Sequence, residues 1–182
     1  MTIRILGISG SLRKQSFNTS LLRAAQSLVA DDVSLEAATL HGIPLYDADL
    51  ERDDGIPAAV AELKERVMAS TGLLLVTPEY NNGIPGVFKN AIDWLSRPNA
   101  DIPKVFGNRP LGLIGASPGG FGTILSQNAW LPVMRTPSLA RISPARSLLP
   151  WRSGPRRTME KSDVPPPMSA ISASSSPATC RS

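Results

Sequence analysis

The stretch that most limits what this 182-residue chain can become is Pro78-Glu79-Tyr80-Asn81-Asn82-Gly83-Ile84-Pro85-Gly86, set directly after the apolar run Leu73-Leu74-Leu75-Val76. The run starts at a glycine, is rich in Leu and Val and does not alternate, which is the pattern of a parallel strand buried on both faces. After the loop, Phe88, Ala91, Ile92 and Leu95 recur at i, i+3, i+4 and i+7 and predict a helix to about Arg97, before Pro98. Ligands of open α/β sheets bind at the carboxyl ends of such strands, so this loop lies where a cofactor would lie. Pro78 and Pro85 fix φ at two points, and Gly83 and Gly86 are expected to supply the backbone freedom and close approach that side chains would block. The turn residues taken alone also suit an ordinary connection between strand and helix.

A second loop favours the ligand reading. Residues 3–8 form a short strand, residues 9–19 a loop rich in hydroxyls, and Leu21, Leu22, Ala25, Leu28 and Val29 one face of a helix. Such a loop presents backbone N–H groups and the positive end of a helix to an anion. No Gly-Lys-Ser/Thr follows, so it is not a Walker A loop, and Gly7 and Gly10 do not satisfy the dinucleotide fingerprint G-x-G-x-x-G. Ser11, Arg13, Ser16, Asn18 and Thr19 give it enough donors for a terminal phosphomonoester. Read by themselves, Ser16 and Asn18 serve equally well as helix caps. A third loop, Ser117-Pro118-Gly119-Gly120-Phe121-Gly122, follows a strand at 111–116 and precedes a helix from Thr123 through Leu125, Asn128, Ala129 and Leu131. Three loops agreeing in position carry more weight than any one of them.

Between these elements, residues 33–38 read as a further strand and residues 39–47 as a loop leaving it. His41 is expected to be a surface or packing residue, because the sequence supplies no partner ligands. Asp47, Asp49, Glu51, Asp53 and Asp54 lack EF-hand spacing and are expected to be a solvated acidic loop. Ile56-Pro57 opens a helix with Val60, Leu63 and Val67 as its buried stripe. Trp94 lies partly off the stripe of its helix and suits either the core or a subunit contact.

Composition narrows the field. The length suits one domain with a sizeable core. A lone cysteine, Cys180, excludes a disulfide framework and a thiolate metal site, and one histidine excludes a multi-histidine zinc site. No apolar stretch is long enough for a membrane span and the start lacks a signal-peptide pattern, so a cytoplasmic location is expected. The net charge of +4 invites a nucleic-acid partner. Its distribution argues against one: residues 1–136 hold 12 Lys+Arg against 13 Asp+Glu, whereas residues 137–182 hold 7 against 2, along with 8 of the 17 prolines and 11 serines. The basic excess is confined to a segment with no aromatic or helical pattern.

The stretch PEYNNGIPGVFKNAIDWLSR at 78–97 resembles the NADPH-dependent FMN reductase family, which includes flavodoxin-like quinone, chromate and azo-dye reductases. GSLRKQSFN at 10–18 and IPLYD at 43–47 match the same family's pattern, and the resemblance covers about residues 1–135. It implies a flavodoxin-like doubly wound parallel sheet with helices on both faces. It also implies that Ser11, Arg13, Ser16, Phe17 and Asn18 hold the FMN phosphate. Pro78, Glu79, Tyr80 and Asn81 would border the isoalloxazine edge, with Ser117, Gly119 and Gly120 on the ring's other side. Hydride would pass from NADPH or NADH through flavin N5 to a quinone-like, azo or metal-oxyanion acceptor in a ping-pong cycle, with no catalytic acid or base and no metal. Glu79 is then a structural or ring-edge residue and not a general base. The resemblance further implies a homodimer or homotetramer, with Trp94 and Tyr46 helping to close the site from a neighbouring subunit.

The alternative from another class is a flavodoxin-type FMN electron carrier, which the near-neutral residues 1–136 do not favour. The domain is expected to span 1–136, followed by a Ser/Pro/Arg-rich tail at 137–182. The abrupt change in composition points to a reading-frame shift near residue 136, or else to a disordered tail, in place of the fifth strand and last helix that the resemblance implies.

Overall fold

The computed structural model describes residues 3–107 and 109–134 and the backbone of residues 142–144. Five strands, β1 (Ile3–Ser9), β2 (Val33–Ala38), β3 (Gly72–Val76), β4 (Leu111–Ile114) and β5 (Ile142–Pro144), form one parallel sheet in the order β2-β1-β3-β4-β5. Its helices are α1 (Phe17–Gln26), α2 (Ala48–Asp54), α3 (Ala58–Ala69), α4 (Gly86–Leu95), α5 (Ile102–Phe106) and α6 (Ile124–Met134). This is the doubly wound order 2-1-3-4-5, and its direction of winding switches between β1 and β3.

Pleating sends alternate residues of the strands to opposite faces. Leu6, Ile8, Leu73, Leu75, Leu111 and Leu113 point to the face covered by α3, α4, α5 and α6, whereas Ile5, Leu74, Val76 and Ile114 point to the face covered by α1. The stripe expected on α4 is buried as read, with Phe88, Ala91, Ile92 and Leu95 all in the first cluster.

Four expectations change. The acidic stretch after Tyr46 is a helix and not a loop: Asp47 caps α2 by accepting from the Asp49 N–H at 2.8 Å, and Asp49 and Glu51 lie in the first turn, where negative charge complements the helix dipole. Trp94 is fully buried within its own chain and donates from Nε1 to the Pro44 carbonyl at 2.9 Å, so it is not available to a neighbouring subunit. Tyr46 packs edge-on against Trp94 at 4.9 Å and retains some exposure. Gly83 and Gly86 do not carry the left-handed backbone of their loop; Asn81 (φ 50°) and Asn82 (φ 62°) do. Finally, a fifth strand is present, pairing Ile142 with Leu111 and Pro144 with Leu113 in the region where the sequence loses its period. Apart from residues 142–144, the tail at 137–182 and Cys180 lie outside the described residues.

Candidate cofactor site

The three loops seen in the sequence follow β1, β3 and β4, which are neighbours in the sheet, so they leave its carboxyl edge side by side. The first spans 10–16. Ser16 ends it as the N-cap of α1, its hydroxyl oxygen accepting from the Thr19 N–H at 3.3 Å, and the Ser11 hydroxyl oxygen accepts from the Arg13 N–H at 3.3 Å. Each hydroxyl is thereby oriented by a bond it accepts, which leaves its own proton free to donate. The backbone amides of Ser11, Leu12, Lys14, Gln15 and Asn18 have no acceptor among the described residues. The Arg13 guanidinium lies over the Phe17 ring at 5.1 Å and forms no ion pair among the described residues. His41 reaches this loop from outside, its Nε2 being 3.2 Å from the Leu12 carbonyl.

The second loop, 77–85, is a small hairpin. Tyr80 and Gly83 exchange backbone hydrogen bonds at 3.2 and 3.0 Å around the two left-handed asparagines, as in a type I′ turn. Asparagine tolerates that conformation better than most residues, which is why no glycine is needed there. Pro78 is buried, Glu79 half-buried, and Tyr80 and Asn81 exposed. In the third loop, 115–123, Ser117 Oγ donates to the Gly122 carbonyl at 2.6 Å, which leaves Gly119 and Gly120 exposed at the tip.

Long-range contacts tie these loops together. The Asn18 side chain forms a two-bond clasp on Ala116 of the third loop, donating from Nδ2 to its carbonyl and accepting its N–H at Oδ1, both at 2.9 Å. Gly10 is pressed between the first two loops, where a Cβ would lie 2.1 Å from Phe88 Cδ1 and 2.9 Å from Pro78 Cδ. A Cβ on Gly115 would lie 2.2 Å from the Thr77 carbonyl and 2.1 Å from Thr123 Oγ1, so only glycine lets β4 end this close to its neighbours. Glu79 Oε2 accepts from the backbone N–H groups of Leu125 at 2.9 Å and Ser126 at 3.1 Å, at the start of α6.

Sequence reading missed Thr77, Ser126 and Trp130. Trp130 Nε1 donates to Thr77 Oγ1 at 3.0 Å, and the Thr77 and Ser126 hydroxyls are 2.9 Å apart, all fully buried beneath the second and third loops. Their separations in sequence, 49 and 53 residues, leave no local signal to find them by.

Farther from the loops, Arg97 Nε donates to both oxygens of Glu51 at 3.1 and 2.8 Å, and the Tyr46 hydroxyl donates to Glu51 Oε2 at 2.9 Å. The bond from Arg97, ahead of that from Tyr46, holds the Glu51 carboxyl below the usual range. The bond to Glu51 and some loss of solvent push the Tyr46 phenol up. This clasp fixes the 43–47 segment to the end of α4, helped by Asn90, whose Nδ2 donates to the Pro44 carbonyl and whose Oδ1 accepts the Tyr46 N–H, both at 2.8 Å.

The donor set suits a flavin mononucleotide. Free backbone amides, two oriented hydroxyls and an arginine cluster at the start of α1, where the helix dipole favours a dianionic phosphate. The ring's place would be between the second and third loops. Among the described residues no group of His, Cys, Asp and Glu is arranged to hold a metal, and no helix is long and apolar enough to cross a membrane.

A 2-1-3-4-5 parallel sheet with a hydroxyl-rich loop after β1 and two further loops at the switch edge defines a flavodoxin-like α/β protein. More narrowly, the chain belongs to the NADPH-dependent FMN reductase family, whose model matches residues 3–148. It is 46% identical over 125 residues to an NAD(P)H-dependent FMN reductase of Pseudomonas aeruginosa, an alignment covering 69% of this chain and 65% of that protein. It is 41% identical over 128 residues to a 2-hydroxy-1,4-benzoquinone reductase of Burkholderia, covering 70% and 68%. Among solved structures, a flavoenzyme NAD(P)H:(acceptor) oxidoreductase from Paracoccus denitrificans superposes with a TM-score of 0.72 at 30% identity, covering 84% of this chain and 81% of that one. The chain thus spans about two thirds of the length of the sequence relatives it matches.

Proposed function

We propose that this chain is an FMN-dependent NAD(P)H oxidoreductase that reduces a quinone-like acceptor. The observation that carries the reading is the first loop: five amides without acceptors among the described residues, two oriented hydroxyls and Arg13, all beside the loop that matches the family's ring-edge motif. When bound, FMN supplies the chemistry, accepting a hydride from a reduced nicotinamide and delivering it to the acceptor.

The residues of the chain bind and orient. Ser11, Arg13 and Ser16 meet the phosphate with hydroxyl and guanidinium donors, and Asn18 adds its backbone N–H while its side chain clasps Ala116. Phe17 supports Arg13 from below. Pro78, Glu79, Tyr80 and Asn81 form one wall of the ring site, and Ser117, Gly119 and Gly120 the other. The exposed tip of the third loop leaves room for a nicotinamide and then an acceptor to approach in turn. No catalytic acid or base is proposed, so no side chain is assigned a catalytic role.

An open site of this kind also suits azo and metal-oxyanion acceptors such as chromate, and NADPH or NADH as donor. A homodimer or homotetramer working in the cytoplasm completes the reading. The test is direct: the purified chain is expected to release FMN on heating, or to take it up when supplied, and then to consume NADPH rapidly with benzoquinone. Bound flavin with no NADPH loss would convert the reading to an electron carrier, and failure to bind FMN would end it.

A further inference from the structure

We propose that Glu79 is a positioning residue that sets the spacing between the two loops flanking the flavin ring, by capping α6 from across the cleft; this rests on the FMN reading above. Helix α6 begins at Ile124, so Leu125 and Ser126 are its second and third residues, whose N–H groups have no acceptor inside the helix. Thr123, the residue just before the helix, does not serve them: its hydroxyl accepts from Gln127 Nε2 at 3.0 Å. The acceptor comes instead from Glu79, 46 residues earlier and in the next loop, through the single oxygen Oε2.

The geometry makes this a hinge pin for the third loop. That loop is tied at its start by the Asn18 clasp on Ala116 and at its end by Glu79 on α6. Between the two ties lie three glycines, one with φ of 62° at Gly122, and Phe121, which is 82% exposed. Nothing else among the described residues restrains the tip apart from the Ser117 hydrogen bond to Gly122 and the Gly122 N–H bond to Gly119. The buried Thr77, Ser126 and Trp130 bonds hold the base of the junction without Glu79. Losing the carboxylate therefore frees one wall of the ring site while leaving the fold and the phosphate loop in place.

Because one oxygen accepts both bonds, a glutamine can replace the carboxylate and an aspartate, one methylene shorter, cannot. The experiment compares Glu79→Gln, Glu79→Ala and Glu79→Asp with the parent chain. It reads amide hydrogen exchange at Leu125 and Ser126 in the flavin-free chain, FMN affinity by titration, and the flavin midpoint potential. Glu79→Ala and Glu79→Asp are expected to speed exchange at both amides and to weaken FMN binding about tenfold, the size of a lost helix cap. Glu79→Gln should stay within about threefold of the parent in affinity and keep its potential, since a cap needs an acceptor and not a charge. A glutamine variant as impaired as the alanine one, or shifted in potential, would overturn the proposal in favour of a direct role for the charge. Unchanged exchange at Leu125 and Ser126 in Glu79→Ala would also overturn it, and Glu79→Asp decides the point should the alanine variant not fold. If the parent chain binds no FMN, the functional reading fails separately, and exchange in the flavin-free chain still decides whether Glu79 caps α6.

Discussion

Among the described residues, one face of the sheet carries α3, α4, α5 and α6 over a cluster of 18 buried apolar residues, and the other carries α1 over a cluster of three, Leu22, Leu35 and Val76. Ile5, Leu74 and Ile114 on the second face are partly buried, and among the described residues a groove of about 560 Å³ lies there, lined by Ile5, Ala25, Val29, Leu35, Leu74 and Gly112 among others. The difference matters for function because the loops do not share their support equally. The second and third loops run into α4 and α6, whose stems are set in the dense cluster, while the first loop runs into α1. On the proposed reading, the ring side of the site is thus anchored in the larger buried cluster of the described residues, and the phosphate side depends on the smaller one.

The largest expected effect separates the two faces. Phe88 is fully buried, packs edge-on against Trp130 with centroids 5.0 Å apart, and abuts Gly10. Phe88→Ala should cost about 3–5 kcal/mol, the usual range for emptying an aromatic core position. Leu74→Ala on the thin face removes a side chain already partly wet and should cost no more than about 2 kcal/mol. Urea unfolding of both variants reads the contrast, and equal costs would mean that the faces are equally packed.

Next comes the seam between the first two loops. Gly10→Ala drives a methyl into Phe88 and Pro78, and overpacking of this kind costs about 1–3 kcal/mol. On the proposed reading those contacts set the approach of the first loop to the second, so FMN affinity should fall with stability. Gly120→Ala is the control: a Cβ there meets nothing within 4 Å, so stability should be unchanged within about 0.5 kcal/mol. Thermal melts and FMN titration of the pair distinguish a steric seam from a general intolerance of side chains in the loops.

How far the sequence carries these arguments differs by region in the same way. The strands of the sheet interior, the α4 stripe and the position of three loops at strand ends were legible, because each is encoded by local period and turn chemistry. The ties that make those loops a site were not. Asn18 to Ala116 spans 98 residues and Glu79 to Leu125 spans 46, and each of those side chains reads locally as a cap or loop residue. The acidic stretch at 47–54 was misread because it has no buried stripe; α2 has no buried residue and is held by its Asp47 cap and the Glu51 bond to Arg97. The sequence left Trp94 open between core and subunit contact, because the residue packed edge-on against it, Tyr46, comes from a loop 48 positions away in sequence; the structure places it in the core. β5 is a short edge strand that ends in proline, and its place follows from the ladder with β4 and not from its own pattern.

The thin face offers a milder test. The described residues leave this apolar groove without a cover, and exposed apolar surface binds hydrophobic dyes, so Leu74→Thr should lower ANS fluorescence while shifting stability by about 1 kcal/mol at most. The matching substitution on the dense face, Leu75→Thr, places a hydroxyl at a fully buried position and should destabilise by more than Leu74→Thr does. Dye binding that stays constant in Leu74→Thr would show the groove to be covered in solution.

The smallest effect lies at the rim of the dense face, in the Arg97, Glu51 and Tyr46 clasp, and its sign can be worked out from the titrating groups. Glu51 is held below the ordinary glutamate value by Arg97, so its contribution is present above that value and is lost as pH falls through the lowered one. Tyr46 is pushed up by its bond to Glu51, so its contribution is present below the ordinary tyrosine value and fades as pH rises through the raised one. Between these limits the clasp should be insensitive to pH. Glu51→Gln removes the titrating carboxyl, so the gap in melting temperature between parent and variant should be constant near neutral pH and should close on the acid side. The charged pair is partly exposed, so added salt should narrow the gap as well. A gap that widened in acid would mean that Glu51 is stabilised by its protonated form, and the geometry of two bonds from Arg97 to its two oxygens would then have been read with the wrong sign.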